Sequence, residues 1–142
     1  MRRFVVSAVL FSLLAVSLSC PAEAKVVAHI SLSTQRMDVS VNGVPLYSWR
    51  VSTARAGYRT PTGTFKPTGL FRYHASTIYS GSPMPHSIFF MRGYAIHGSY
   101  ETKYLGRPAS HGCVRLHPSN AAALYSLVKT YGAANTVIRI SH

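Results

Sequence analysis

The chain has 142 residues and carries 15 Lys and Arg against 3 Asp and Glu, a formal charge of +12. So few carboxylates argue against calcium or magnesium sites, which want several oxygen ligands, and against glycosidases, which use a facing carboxylate pair. The length suits one compact domain with a core of its own.

In chain order, Met1-Arg2-Arg3 gives a positive start, and Phe4 to Cys20 is apolar apart from scattered serines. Ala22-Glu23-Ala24 then places small residues where a signal peptidase reads. This pattern predicts a secretory signal over residues 1–24, cleaved after Ala24, and export to the periplasm or cell envelope. The apolar run is shorter than the ~20 residues of a spanning helix, and an uncleaved anchor is the alternative. Cys20 invites lipidation, but Ser17 stands three positions upstream where Leu is expected, which argues against it. Residues 25–142 then hold 13 basic residues and only Asp38 and Glu101 as carboxylates. Their one cysteine is Cys113. Alone it makes no internal disulfide, so it is buried, paired between chains, or reactive.

Val26 to Leu32 and Gln35 to Val41 alternate between apolar and polar residues, as half-buried strands do. Asn42-Gly43, followed by Val44 to Val51, is a strong hairpin signal. Thr60-Pro61-Thr62-Gly63 reads as a tight turn with Gly63 at positive φ. Leu70 to Ser87, with Gly81, Pro83 and Pro85, reads as a long loop of the kind that often carries function. Ile88 to Met91 and Tyr94 to His97 read as buried strands. One helix is predicted over about 119–131, with Leu124, Leu127, Val128 and Tyr131 on one face and Gly132 as its stop. Thr136 to Ile140 closes the chain as a strand. Tyr47, Trp49 and Phe65 read as core. The fold class is mainly β, one domain over 25–142, with one principal α-helix near the C-terminus.

The chemistry concentrates between His97-Gly98-Ser99 and Ser110-His111-Gly112-Cys113-Val114-Arg115. A nucleophilic thiol needs a base or cation nearby, and donors to hold the oxyanion formed on attack at a carbonyl. His97 follows a strand and can present its imidazole at the strand end. Gly112 permits a tight turn that aims the Gly112 and Cys113 amides into one pocket. If residues 113–116 are extended, Val114 and Leu116 face the core while Cys113 and Arg115 share the other face. An Arg beside a Cys favours thiolate and can grip a substrate carboxylate.

Here the sequence resembles the L,D-transpeptidase catalytic domain, or YkuD-type, family. The resemblance runs through Val51-Ser52-Thr53, Thr60 to Phe65, Met84-Pro85, Ile88-Phe89-Phe90 and Tyr94 to Gly98. Its most specific part is Ser110 to Arg115. The family often has Asn where this chain has Arg115. The resemblance implies a β-sandwich-like fold and a cysteine that attacks peptidoglycan stem peptides. It makes Cys113 the nucleophile and His97 the proton donor and acceptor. The carbonyl attacked lies between a third, diamino residue and a terminal D-alanine. A thioester then passes to an amine of another stem or of an envelope protein, and water in that place makes a carboxypeptidase. The oxyanion hole falls to the backbone of His111, Gly112 and Cys113. Ser110 and Gly98 serve as scaffold, and Arg115, Ser99, Tyr79 and Met84 contact substrate. No cofactor and no metal is expected. With carboxylates so scarce, a backbone carbonyl or a Ser is expected to orient His97.

Plainer readings stand beside these. His97 alone reads as a strand-end histidine, and Arg115 as half of an ion pair, although only Asp38 and Glu101 are there to receive it. His74, His86 and Tyr79 read as surface loop or as a lid. His97, His111, Cys113 and His117 are residue types that zinc accepts, but the usual structural-zinc spacing is missing. The charge would suit nucleic acid, yet the basic residues are scattered singly and export removes most such partners. Non-specific association with anionic envelope polymers fits it better. Sortase-like and amidase-like enzymes also use Cys and His, in arrangements that this order does not match.

Overall fold

The computed structural model describes residues 24–142. The signal segment read from the sequence lies outside the described residues except for Ala24. No helix of the described residues is long and apolar enough to cross a membrane.

The strands are β1 (Val26–Ser31), β2 (Arg36–Val41), β3 (Val44–Arg50), β4 (Gly63–Phe65), β5 (Gly69–Phe71), β6 (Ser87–Met91), β7 (Tyr94–Gly98), β8 (Val114–Leu116) and β9 (Thr136–Ser141). The principal helix α1 is Pro118–Tyr131. One sheet has the order β3-β2-β1-β9-β4 and the other β5-β6-β7-β8. The fold is mainly β, two sheets and one main helix. Alternation along β1 and β2 buries Val26, Ala28, Ile30, Met37 and Val39. The second sheet answers with Ile88, Phe90, Ile96, Val114 and Leu116, and α1 adds Ala121, Leu124 and Val128 to the same core. Phe65 of β4 meets Phe90 of β6 with ring centroids 5.2 Å apart, joining the two layers.

The hairpin at Asn42-Gly43 forms with both residues at positive φ, 50° and 77°, as a two-residue connection matching strand twist requires. Trp49 and Phe65 pack partly buried against the core. Tyr47 does not belong to it. It is 39% exposed and stacks on Trp49 at 4.6 Å, because β3 is the edge strand of its sheet.

Two expectations need correction. Thr60 to Thr62 form no turn and lead into β4, which begins at Gly63 with φ 139°. The turn sits earlier, where Tyr58 N–H donates to Arg55 O at 3.0 Å and Gly57 has φ 84°, a type II geometry with glycine at its third position. The long loop is also shorter than expected, since Gly69–Phe71 pairs antiparallel with β6 and leaves residues 72–86 irregular.

Candidate active site

Strands β7 and β8 build the site. They pair in parallel with Ile96 opposite Val114, His97 opposite Arg115 and Gly98 opposite Leu116. Side chains alternate along a strand, so Ile96, Val114 and Leu116 enter the core while His97 and Arg115 share the other face. Cys113 immediately precedes β8. A segment of residues 99–113 links the two strands and carries a short 3-10 turn, Thr102–Tyr104.

His97 is buried, 7% exposed. Its Nδ1 lies 2.7 Å from Gly98 O. A carbonyl only accepts, so Nδ1 carries the proton and Nε2 is left with a free lone pair. Burial pushes the imidazole pKa down from 6.5 to about 4. The Gly98 contact opposes that shift, while Arg115 and His74 reinforce it. The ring is therefore neutral near pH 7, with its tautomer fixed by a backbone carbonyl, one of the two groups the sequence left open. Gly98 is closely packed: a Cβ there would stand 3.0 Å from Pro85 Cγ and 3.1 Å from Pro118 Cα, so these neighbours would have to give way.

Cys113 is a free, partly buried thiol. Its Sγ lies 3.8 Å from Gly93 O, and among the described residues no hydrogen bond joins it to His97. Burial raises its pKa, against the lowering effects of the Ala95 backbone and Arg115. At rest the pair is thus thiol and neutral imidazole.

The turn before the cysteine is held by hydroxyls. Ser110 Oγ donates to Cys113 O at 2.6 Å and accepts Gly112 N–H at 3.0 Å. Of the amides that the sequence reading gave to an oxyanion hole, that of Gly112 is bonded to Ser110, whereas no turn or loop hydrogen bond among the described residues uses the Cys113 N–H. Gly112 has φ 143°, and a Cβ on it would fall 2.6 Å from Tyr94 Cε1 and 3.0 Å from Arg59 O. Only glycine fits.

Arg115 forms the ion pair of the plainer reading, Nη1 to Glu101 Oε2 at 3.0 Å, with side-chain exposures of 17% and 61%. The 99–113 segment folds back along β8 and brings one of the two carboxylates to it. His111 lies between two tyrosines, stacked on Tyr79 at 4.1 Å and 13°, edge-on to Tyr58 at 4.7 Å and 75°. Partial burial, then Arg55 and Arg115, lower its pKa. Tyr79 thus brings the 72–86 loop onto the Ser110–Cys113 turn, while His74 packs edge-on to Phe89 at 5.2 Å.

Other expected contacts are less open. Met84 and Ser99 are both buried. Met84 N–H donates to His74 O at 2.8 Å, and Ser99 Oγ accepts Glu101 N–H at 3.2 Å. The four residues of the zinc reading do not converge: among the described residues no three His, Cys, Asp or Glu side chains could hold one ion. His117 instead caps α1, accepting Ser119 N–H. Two cavities, about 480 Å³ beside Trp49 and Arg50 and about 260 Å³ beside Tyr58 and Thr60, are lined by neither Cys113 nor His97. Sequence reasoning missed Tyr58 as a neighbour of the site. Glu101 entered only as one of two possible partners of Arg115, and Thr60 only through the Thr60 to Phe65 run, whose match to the family favours the substrate side over a plain turn.

A thiol, a tautomer-fixed imidazole and an open backbone N–H thus adjoin on a two-sheet scaffold, groups of the kind that thiol-based acyl transfer uses. Residues 25–140 match the family model of the L,D-transpeptidase catalytic domain, and the chain belongs to that family. Among solved structures, an L,D-transpeptidase from Mycobacterium smegmatis superposes with a TM-score of 0.74 at 23% identity, over 84% of this chain and 59% of its own. One from Stackebrandtia nassauensis gives 0.72 at 28% identity, over 90% and 62%. L,D-transpeptidase 3 from Mycobacterium tuberculosis, solved with a faropenem-derived adduct, gives 0.71 at 20%, over 83% and 60%. The chain thus spans about three-fifths of the length of these relatives. No curated protein sequence matches.

Proposed function

We propose that this chain is an exported, cysteine-dependent peptidoglycan L,D-transpeptidase with Cys113 as nucleophile and His97 as proton carrier. The observation that carries the reading is the family match over residues 25–140, joined to the single thiol of that span and a neutral imidazole on the adjoining strand.

Cys113 Sγ adds to the carbonyl between the third, diamino residue of a tetrapeptide stem and its terminal D-alanine. His97 Nε2 takes the thiol proton and gives it to the D-alanine nitrogen as the C–N bond breaks. A thioester remains. An amine of another stem, or of an envelope protein, then adds to the thioester. His97 accepts its proton and returns it to sulfur as the C–S bond breaks. The depressed imidazole pKa supports this role, because a base must be unprotonated before it can work. The thiol resting toward Gly93 must turn toward Nε2 when substrate arrives. The open Cys113 N–H would meet the developing oxyanion. Arg115 spends Nη1 on Glu101, and its other N–H groups are left for a substrate carboxylate. Export by residues 1–24 and the positive charge of the remainder would bring the enzyme to the anionic envelope.

The test is the muropeptide mass profile after incubating residues 25–142 with tetrapeptide-rich peptidoglycan, beside Cys113→Ala. New cross-links between two diamino residues, lost in Cys113→Ala, are the expected result. Tripeptides without cross-links would make the enzyme an L,D-carboxypeptidase or point to a missing protein acceptor. No change with either protein would overturn the catalytic reading in favour of a basic envelope-binding module.

A further inference from the structure

We propose that Thr60 is a positioning residue for acyl transfer: its hydroxyl fixes the peptide plane between Gly112 and Cys113 and so aims the Cys113 N–H at the oxyanion. The inference rests on the assignment of Cys113 as nucleophile. Thr60 is 4% exposed. Its Oγ1 donates to Gly112 O at 2.8 Å and accepts Ala54 N–H at 3.0 Å. The two bonds fix the rotor, since accepting from Ala54 leaves the hydroxyl proton for Gly112.

That proton holds one side of a peptide unit whose other side is the catalytic amide. The Gly112–Cys113 bond is trans, so its C=O and N–H point in opposite directions from one plane. With the carbonyl tied inward to Thr60, the N–H points away from Thr60. A plane flanked by glycine at φ 143° is otherwise free to turn, because glycine's conformational restraints are weak. Ser110 braces the atoms on either side, Gly112 N and Cys113 O. Neither bond touches the plane between them, and Thr60 supplies the missing restraint from 52 residues away in sequence. Pro61 fixes the backbone just after Thr60, and the pairing of β4 anchors Gly63 to Phe65 beyond it. That gives the Thr60 to Phe65 run a mechanical purpose that a surface turn would lack.

The experiment measures acylation of residues 25–142 by faropenem, following the mass shift on Cys113 over time. In this step the Sγ–C bond forms, the lactam C–N bond breaks, and the thiol proton passes to the lactam nitrogen. Thr60→Val keeps the shape and removes the hydroxyl. The expected result is a roughly 10- to 100-fold slower maximal acylation rate, part of the loss seen when an oxyanion donor is deleted outright. Half-saturation should change little, and Thr60→Ser should restore most of the rate. Val and Ser variants impaired equally would mean a packing role and overturn the inference, as would Thr60→Val acylating at the unsubstituted rate. If Thr60→Val does not fold, Thr60→Ala takes its place with the same readings. Failure of the unsubstituted protein to acylate at Cys113 would instead overturn the nucleophile assignment itself.

Discussion

In the five-stranded sheet, Val26, Ala28, Ile30, Met37 and Val39 are buried by simple alternation, and any apolar side chain of similar volume would serve nearly as well. In the turn from Ser110 to Cys113 no large apolar side chain is buried. Three hydrogen bonds from two hydroxyls fix it, along with a glycine that has no room for a methyl group. The first region is specified by hydrophobicity and size, a loose and redundant code. The second is specified atom by atom. The fold can therefore absorb drift in the sheet that the site cannot absorb in its turn.

The sharpest way to break that contrast is a single methyl group in each region. Gly112→Ala adds one against Tyr94 and into a disfavoured φ. It should cost about 3 kcal/mol in chemical denaturation and remove at least tenfold of the acylation rate in the surviving folded protein. Ile30→Val removes one from the sheet core. It should cost about 1 kcal/mol and leave the acylation rate unchanged. Equal loss of activity in both variants would erase the distinction between the regions.

Acid extends the comparison to the strand that carries His97. Its folded pKa of about 4 lies below the unfolded value of 6.5, so the unfolded chain binds the extra proton between those values. Stability should then fall as pH drops from about 6.5 to about 4, by about 3 kcal/mol in all. Denaturation midpoints across that range, with His97→Gln as control, isolate the contribution. Acylation should hold down to near pH 4, because His97 remains neutral until then.

The smallest effect is expected at Arg115. Arg115→Asn should change stability by less than about 1 kcal/mol, since its Glu101 partner is largely exposed. Arg115 lowers the pKa of both His97 and Cys113. Its loss should move both upward, visible as a shift to higher pH in the alkylation profile of Cys113.

The same contrast explains what the sequence could tell. Strands β1, β2 and β9 and helix α1 were legible because burial imprints a period on the chain, while β3 was read from the Asn42-Gly43 hairpin signal and β6 and β7 from their apolar runs. Strands β4 and β5 were not, being three residues each, too short to show alternation. Residues 114–116 could be read only conditionally, although Val114 and Leu116 do enter the core as that reading required. At the site, the order of His97 and Cys113 was visible. The partners of Gly112 and His111 were not, since Thr60 and Tyr58 reach them through folded loops that leave no periodic trace, and composition narrowed the partner of Arg115 only to Asp38 or Glu101. The turn assigned to Thr60 to Gly63 failed for a related reason. Pro and Gly suggested a reversal, while pairing of Gly63–Phe65 with β9 held the chain extended.

The first strand and the last lie side by side. Val26 pairs in parallel with Thr136, and the register continues to Ser31 and Ser141. The centre of the larger sheet therefore cannot assemble until residues 136–141 are available, and its closure spans more than a hundred residues. Folding should be slow for a protein of this size, governed by a late long-range encounter rather than by local hairpins. A chain that delays its own closure stays threadable while it is being made, which would suit the export proposed for it.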